Sequence, residues 1–128
     1  MTAVEFKNKY NEVDLIVMGW SDGETAYFSA IAVCDFTDGL LKMLTSDGSF
    51  RKTRKNERIL RNHIIKEATM AEIDVCEGKN RGYKAESFLF GAPNYTDSKV
   101  DGELGTFKVQ LKTSFDCEDG STSRSNKF

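Results

Sequence analysis

Residues 13–34 read VDLIVMGWSDGETAYFSAIAVC, and this stretch carries the clearest structural signal in the chain. Apolar and β-branched residues fill 13–20 and 25–34, a composition that is typical of strands. The four residues between them are Ser-Asp-Gly-Glu, and glycine readily adopts the positive φ that a tight turn requires. We therefore expect a β-hairpin with Asp22 and Gly23 at its tip.

Helical signals lie on both sides of this hairpin. Thr2 and Glu5 have the spacing of a capping box, which predicts a helix over about 3–10. Residues 35–46 predict a brief helix that begins at Asp35 or Thr37. The longest helix is expected over about 50–70, because four apolar residues recur there at helical spacing and would form its core-facing stripe: Leu60, Ile64, Ala68 and Ala71.

Three further strands are predicted after this helix, over 72–76, 83–90 and 104–115. In the last of them the apolar residues alternate with polar ones, which is typical of a half-exposed antiparallel strand. The apolar set is Phe107, Val109 and Leu111, and the polar set is Lys108, Gln110 and Lys112. The polar stretch 91–103 is expected to be a long loop.

These elements predict one α+β domain over about 1–116, with about five mainly antiparallel strands and the helix at about 50–70 packed on one face of the sheet. One or two short helices complete the expected domain. The polar residues 117–128 are expected to form a flexible tail. A chain of 128 residues is long enough to fold on one core without metal or disulfide staples.

The sequence also predicts a cytoplasmic location. Charged residues interrupt the first ten positions, and no apolar stretch approaches the roughly 20 residues that cross a bilayer, so neither a signal peptide nor a membrane segment is expected. The cysteines are Cys34, Cys76 and Cys117, an odd number at wide spacing. This pattern argues against a disulfide framework and fits a reducing compartment.

The charge is unevenly distributed along the chain. Its formal total is −2, yet residues 51–62, RKTRKNERILRN, hold six basic residues and one acid. That stretch therefore carries +5, and the rest of the chain carries −7. The basic residues are Arg51, Lys52, Arg54, Lys55, Arg58 and Arg61. Such a polarised molecule is unsuited to generic adhesion to nucleic acid or membrane.

On the predicted helix four arginines share one face, away from Leu60: Arg51, Arg54, Arg58 and Arg61. A guanidinium donates two parallel hydrogen bonds to phosphate oxygens, so phosphate is a well-matched partner for this stripe. The stripe lies near the start of the helix, where the macrodipole already favours an anion. A purely solvated charged face is the competing explanation.

Other residues could extend the site. Arg81, Tyr83 and Lys84 follow a glycine-containing turn, and Tyr83 could stack on a base or pack at the edge of the core. Lys108 and Lys112 share one face of the last predicted strand.

Motifs for catalysis, metals and cofactors are absent from the sequence. It has neither a GxGxxG nor a GxxxxGK[ST] loop, and its cysteines form no CxxC pair. The one histidine, His63, is expected to be structural. We therefore expect no metal and no cofactor, and a binding protein in preference to an enzyme.

Two functional hypotheses follow. In the first, the protein binds a nucleotide or short nucleic acid through its arginine stripe. In the second, it is a protein-interaction module or inhibitor of the accessory type carried by viruses and mobile elements, and the stripe docks on an acidic partner surface. A homo-oligomer that pairs through an open edge of strand 104–115 is a third possibility.

Overall fold

The computed structural model describes residues 1–44, 50–51, 53–76, 81–91, 99–117 and 122–124, of which 81–83 and 122–124 are described by their backbone alone. Five α-helices lie in these residues: α1 (Ala3–Lys9), α2 (Asp38–Leu41), α3 (Arg54–Arg61), α4 (Met70–Ile73) and α5 (Arg81–Phe90). A short 3-10 helix, Val33–Asp35, follows β2. The strands are β1 (Leu15–Asp22), β2 (Thr25–Ala32), β3 (Ile64–Thr69), β4 (Gly102–Leu104), β5 (Phe107–Asp116) and β6 (Thr122–Arg124). The fold is α+β.

The six strands form one mixed sheet in the order β3-β2-β1-β5-β4, and β6 also pairs with β5. The pairing of β1 with β5 is parallel, and the other pairings are antiparallel. The expectation of a mainly antiparallel sheet is thus confirmed in part. The parallel pair lies at the centre of the sheet, and it joins two segments far apart in the chain.

Both faces of this sheet are covered by helices. On the first face, Ile16, Met18 and Trp20 of β1 pack with residues from α1, α2 and α3. On the second face, Val17 of β1 packs with β5 and with residues from α4 and α5. Because successive side chains of a strand point to opposite faces, β1 takes part in both clusters.

The hairpin is confirmed. β1 and β2 pair in continuous register from Leu15 with Ala32 to Asp22 with Thr25, so the two-residue tip is Gly23 and Glu24, one position later than expected. Gly23 has φ +60°, the conformation that favours glycine. Helix α1 is also confirmed, with the Thr2 hydroxyl accepting a hydrogen bond from Glu5 N.

The predicted helix 35–46 is shorter than expected. It forms α2, and Thr37 is its cap because its hydroxyl accepts a hydrogen bond from Leu40 N. Met43 is buried on the first face, while Leu40 and Leu41 are half-buried there. Residues 45–46 lie outside the described residues.

The long helix expected over 50–70 is wrong in its second half. Helix α3 ends at Arg61, and 64–69 form β3 beside β2. His63 O accepts a hydrogen bond from Ala30 N, which starts this pairing directly after the helix. Ile64 and Ala68 are half-buried, whereas Ala71 is exposed, so the expected four-residue stripe does not form. β-Branched residues favour the strand, and an unpaired β2 edge was available to them.

The strands predicted over 72–76 and 83–90 do not form, and 74–76 are a turn. Residues 70–73 form α4 because Thr69 accepts a hydrogen bond from Glu72 N, and Asp74 at φ 58° ends the turn. Residues 81–90 form α5, which buries Ala85 and Leu89, spaced four apart, on the second face of the sheet. The aromatic residues indicated a strand here, but burial of apolar side chains against the sheet favours the helix.

The strand expected over 104–115 is present as β5, but it is not half-exposed. Gln110 and Lys112, expected to face solvent, are buried on the first face, while Phe107 at its start is exposed. β5 pairs with β1 on one side and with β4 and β6 on the other. β4 pairs with β5 at 107–109 and β6 pairs with it at 114–116, so the ends of that second edge are covered, and oligomerisation through this strand stays a prediction.

The expected absence of disulfides is wrong. Cys76 and Cys117, 41 residues apart in sequence, form a disulfide with a Cα–Cα distance of 5.5 Å, and Cys34 is a free, exposed thiol. The spacing in sequence gave no sign of this pairing because the fold brings the turn after α4 to the end of β5.

Two expectations fall largely outside the described residues. These are the loop, of which 92–98 are not described, and the tail, of which only 122–124 beyond Cys117 are described, as β6. In the part of the chain that the structure describes, no helix has the length and apolar character needed to cross a membrane.

Gly19 allows the two central strands to pack against the second-face core. A Cβ built on Gly19 would lie 2.7 Å from Phe115 Cζ and 3.3 Å from Phe28 Cε1. We predict that Gly19→Ala lowers the free energy of unfolding by about 1–3 kcal/mol, since both rings must shift within a packed core. Urea unfolding measures the change.

Gly39→Ala is the matched control. Its Cβ would approach nothing closer than 3.7 Å, at the Thr37 hydroxyl. Because Gly39 lies within α2, alanine should leave stability unchanged or raise it by up to about 1 kcal/mol. Equal effects of the two substitutions would contradict the packing described for β1.

Candidate functional site

The segment that carries the basic residues is fixed at its start by hydrogen bonds. Arg51 N donates to Met43 O, and the Asn56 side chain donates from Nδ2 to Arg51 O, each at 2.6 Å. Thr53 caps α3 by accepting from Asn56 N. Arg51 therefore precedes the helix, whereas the sequence placed it on the helical wheel. Its backbone is nevertheless held against the first turn.

The end of α3 is anchored on the hairpin through a buried hydrogen-bond chain. Trp20 Nε1 donates to Ser29 Oγ at 3.0 Å, and Ser29 Oγ donates to Leu60 O at 2.6 Å. The Leu60 side chain is fully buried in the first-face cluster. A carbonyl near the helix end thus gains a partner, and the orientation of α3 on the sheet is set.

Arg61 belongs to this anchor. Its guanidinium lies 5.1 Å from the centre of the Trp20 ring and 5.5 Å from that of Tyr27. It also forms ion pairs with Asp22 at the hairpin and with Glu57 one turn earlier on the helix. Hydrogen bonding to Asp22 is the main cause that raises the pKa of Arg61 above its ordinary value. The sequence assigned Arg61 to the ligand, but the structure engages it in docking the helix.

The remaining arginines of the helix are directed to solvent. Arg54 and Arg58 are exposed, and at a separation of four residues they share one helical face about 6 Å apart along the axis. Neither forms an ion pair with any residue that the structure describes. With the exposed Arg51 and Lys55 they form a patch that we call the basic surface. Lys52 lies outside the described residues.

The proposed extension of the site on 81–84 is on the other side of the sheet. Arg81, Tyr83 and Lys84 belong to α5, which covers the second face, whereas α3 covers the first. Lys84 Nζ forms an ion pair with Asp74 at 3.0 Å. The structure therefore does not bring these three residues to the basic surface.

Lys108 and Lys112 differ in their surroundings. Lys108 is exposed, whereas Lys112 is fully buried on the first face, where Met18 lies beside it in register. Asp101 is also buried, and its carboxylate accepts a hydrogen bond from Leu111 N at 2.7 Å. Lys112 thus belongs to the interior, which the alternating pattern of β5 did not indicate because such a pattern is typical of a half-exposed strand.

A second polar residue of this interior is Tyr10, which is 1% exposed at the end of α1. Burial, with the nearby Asp101 carboxylate as the lesser cause, raises the pKa of the Tyr10 hydroxyl well above its usual range. No pattern in the sequence marked Tyr10 or Asp101 as a buried polar residue.

We predict that this burial makes stability sensitive to alkaline pH. In the unfolded chain Tyr10 ionises near its ordinary pKa of about 10, whereas the folded protein keeps the proton. The folded state binds more protons above that pH, so stability falls by up to about 1.4 kcal/mol for each further pH unit. Below about pH 10 this contribution is fully present.

Urea unfolding of wild type and Tyr10→Phe at several pH values measures the effect. The lysines and other tyrosines are common to both proteins, so the difference isolates Tyr10. The free energy of unfolding of the wild type minus that of the variant should fall between about pH 10 and 12. A difference that stays constant over this range would show that Tyr10 ionises as readily in the folded state as in the unfolded one.

In the described residues His63 is part of no candidate metal site. His63, expected to be structural, is exposed and contributes backbone hydrogen bonds to the end of α3 and the start of β3. In this part of the chain no three His, Cys, Asp or Glu side chains are placed to hold a metal ion. Comparison with models of known families, with curated proteins and with solved structures finds no match to this chain.

The sequence did not indicate that Arg61 contacts Trp20, Tyr27 and Asp22. The signal that could have found the first two is the hairpin itself, because a two-residue tip at Gly23 and Glu24 sets Trp20 directly opposite Tyr27. The helix that supplies Arg61 comes much later in the chain, and nothing local indicated where it would dock.

Proposed function

We propose that this protein binds a phosphate-bearing ligand, a nucleotide or a short nucleic acid, on the basic surface of α3. The observation that carries the proposal is a contrast between arginines on one helix. Arg61 is engaged by two carboxylates and two rings, whereas Arg54 and Arg58 are exposed without an ion pair to any described residue. Exposed guanidinium groups on a firmly docked helix suit recognition of phosphate oxygens.

The position of these cations supports an anionic ligand. Arg54 and Lys55 lie in the first turn of α3, where the macrodipole makes a positive charge unfavourable by about 0.3–1 kcal/mol at low salt. A bound phosphate would relieve this repulsion and interact favourably with the same helix end. Thr53 and Asn56 hold the turn in place, so the ligand would meet preorganised groups.

The overall charge favours a compact ligand. Outside 51–62 the chain carries −7, which would repel a long polyanion that extends beyond the basic surface. Tyr83, the residue expected to stack on a base, is on a helix that covers the other face of the sheet. Binding would therefore depend on phosphate charge and show little preference among bases.

We propose binding without catalysis, cofactor or metal, and the sequence motifs support no reaction. The cytoplasmic location inferred from the cysteines remains a prediction. The disulfide between Cys76 and Cys117 removes the cysteine pattern as one of the observations on which that prediction was based.

A second candidate is an interaction module that docks the basic surface on an acidic protein. One observation favours it: with Tyr83 on the opposite side of the sheet, the basic surface offers charge alone, which a partner's carboxylates also match. Inorganic phosphate and oligonucleotides would then bind no better to this protein than to a variant without the arginines.

We predict that Arg54→Glu combined with Arg58→Glu lowers the affinity for a labelled single-stranded oligonucleotide of about a dozen nucleotides, because two attractive charges become repulsive. Fluorescence anisotropy at low salt measures the affinity, and circular dichroism checks that the fold is unchanged. The matched control reverses two exposed lysines elsewhere, Lys9→Glu with Lys108→Glu, which changes the net charge equally. An equal loss in the control would contradict a localised site.

The salt dependence of the same binding counts the phosphate contacts. If all four cations of the basic surface neutralise phosphates on a single strand, log K falls against log salt with a slope of about −2.8, and Arg54→Ala with Arg58→Ala reduces the slope by about 1.4. An unchanged slope in the alanine variant would exclude these arginines as phosphate contacts.

A further inference from the structure

Lys42, at the end of α2, lies outside the basic stretch of the sequence but close to the basic surface in space. Arg51 N donates to the carbonyl of Met43, the residue after Lys42, at 2.6 Å. Leu44 and Phe50 form an isolated antiparallel bridge next to this bond. The Cα atoms of Lys42 and Arg51 therefore lie within about 10 Å of each other, so their two long side chains can reach one ligand.

We propose that Lys42 extends the basic surface into a binding track for a short single strand of nucleic acid. The strand runs along α3 from Arg58 to Arg51 and then past Lys42. Lys42 can contribute only if the basic surface binds phosphate, so the track rests on the proposed function and selects the strand from its two ligands. The track consists of five cations: Lys42, Arg51, Arg54, Lys55 and Arg58.

The backbone at Lys42 is fixed to the cover of the first face. Met43 and Phe50, on the two sides of the bridge, are 1% and 2% exposed. Lys42 N donates to two carbonyls of α2, which ends that helix. The Lys42 side chain is exposed, as is that of Arg51. Because the backbone of both is already ordered, a ligand loses little entropy in ordering this part of the site.

The charge of Lys42 is not paired with an acid in the part of the chain that the structure describes. Asp38 lies four residues earlier, the spacing at which a carboxylate and an ammonium are neighbours on a helix. Asp38 Oδ1 instead accepts a hydrogen bond from Ala3 N at 2.7 Å. Lys42 is thus exposed without an ion pair, like Arg54 and Arg58.

The opposite end of the basic surface is bounded by acids. Asp22 and Glu57 both pair with Arg61, and their side chains are 52% and 25% exposed. Two carboxylates against one guanidinium leave a net charge of −1 at this end. A strand that continued beyond Arg58 toward the hairpin would be repelled there, so the direction toward Lys42 is favoured.

The extent of the cations favours a strand over a single nucleotide. Arg54 and Arg58 are about 6 Å apart along the helix axis, and Arg51 and Lys42 lie beyond the start of the helix. Phosphates recur along the whole length of a strand, whereas those of a nucleotide are joined to one another at one end. Cations distributed over this length therefore match a strand.

Charge reversal at Lys42 tests the track. Binding of a labelled single strand of about a dozen nucleotides is measured by fluorescence anisotropy at low salt, and circular dichroism checks the fold. Lys42→Glu should lower the affinity by at least about threefold, because one attractive charge becomes repulsive. Lys108→Glu is the matched control, since it makes the same charge change at an exposed lysine on β5 and should lower the affinity by less than about twofold.

The salt dependence of binding counts the added contact. With five phosphates neutralised, log K should fall against log salt with a slope of about −3.5, and Lys42→Ala should bring the slope back to about −2.8. An unlabelled strand of about six nucleotides should displace the labelled strand at a concentration at least about tenfold below that of adenosine triphosphate, because it reaches more of the track.

Three results would overturn the track. Equal losses with Lys42→Glu and Lys108→Glu, or an unchanged slope in Lys42→Ala, would exclude Lys42 as a phosphate contact. Displacement by adenosine triphosphate at the same concentration as the strand would show that a single nucleotide suffices. Arg54→Glu with Arg58→Glu separates the track from the proposed function: a loss of affinity in that variant keeps the function, and no loss removes both.

Discussion

The constraint on which the structure depends is the burial of β1 on both of its faces. Ile16, Met18 and Trp20 contribute to one apolar cluster and Val17 to the other, so helices must cover both sides of the sheet. The parallel partner β5 shares this burial, which is why a strand with polar residues such as Lys112 is enclosed. The same constraint separates α3 from α5, and with them the two basic segments that the sequence analysis had combined into one site.

The anchoring of α3 divides its arginines into two groups. The buried chain from Trp20 through Ser29 to the Leu60 carbonyl fixes the helix, and Arg61 completes the contact by stacking on the hairpin rings and pairing with Asp22. Arg61 therefore has a structural role. Its positive charge also offsets the charges of Asp22 and Glu57, which would otherwise repel an anion. The remaining cations of the basic surface are then directed away from the sheet.

Local signals in the sequence predicted several of the elements. The hairpin, α1 and most of β5 were predictable, because a turn, a cap or an alternating pattern specifies each. The strand at 64–69 was not predictable, since Ile64 and Ala68 fit a helical stripe and a strand equally well. The pairing with β2 decides between the two. The positive charge of 51–62 was evident from the sequence, whereas the role of Arg61 depends on Asp22 of the hairpin, which is 39 residues away in sequence. Thr69 and Glu72 have the spacing of a capping box, so the start of α4 could have been predicted from the sequence.

Titration of the arginine side chains by nitrogen-detected NMR tests the division between structural and exposed arginines most directly. A short single-stranded oligonucleotide is added to labelled protein while the Nε–H signals of Arg54, Arg58 and Arg61 are followed. The proposed function predicts that the signals of Arg54 and Arg58 move with increasing ligand and that the signal of Arg61 keeps its position. Movement of Arg61 to the same extent, or no movement of any arginine signal, would contradict it.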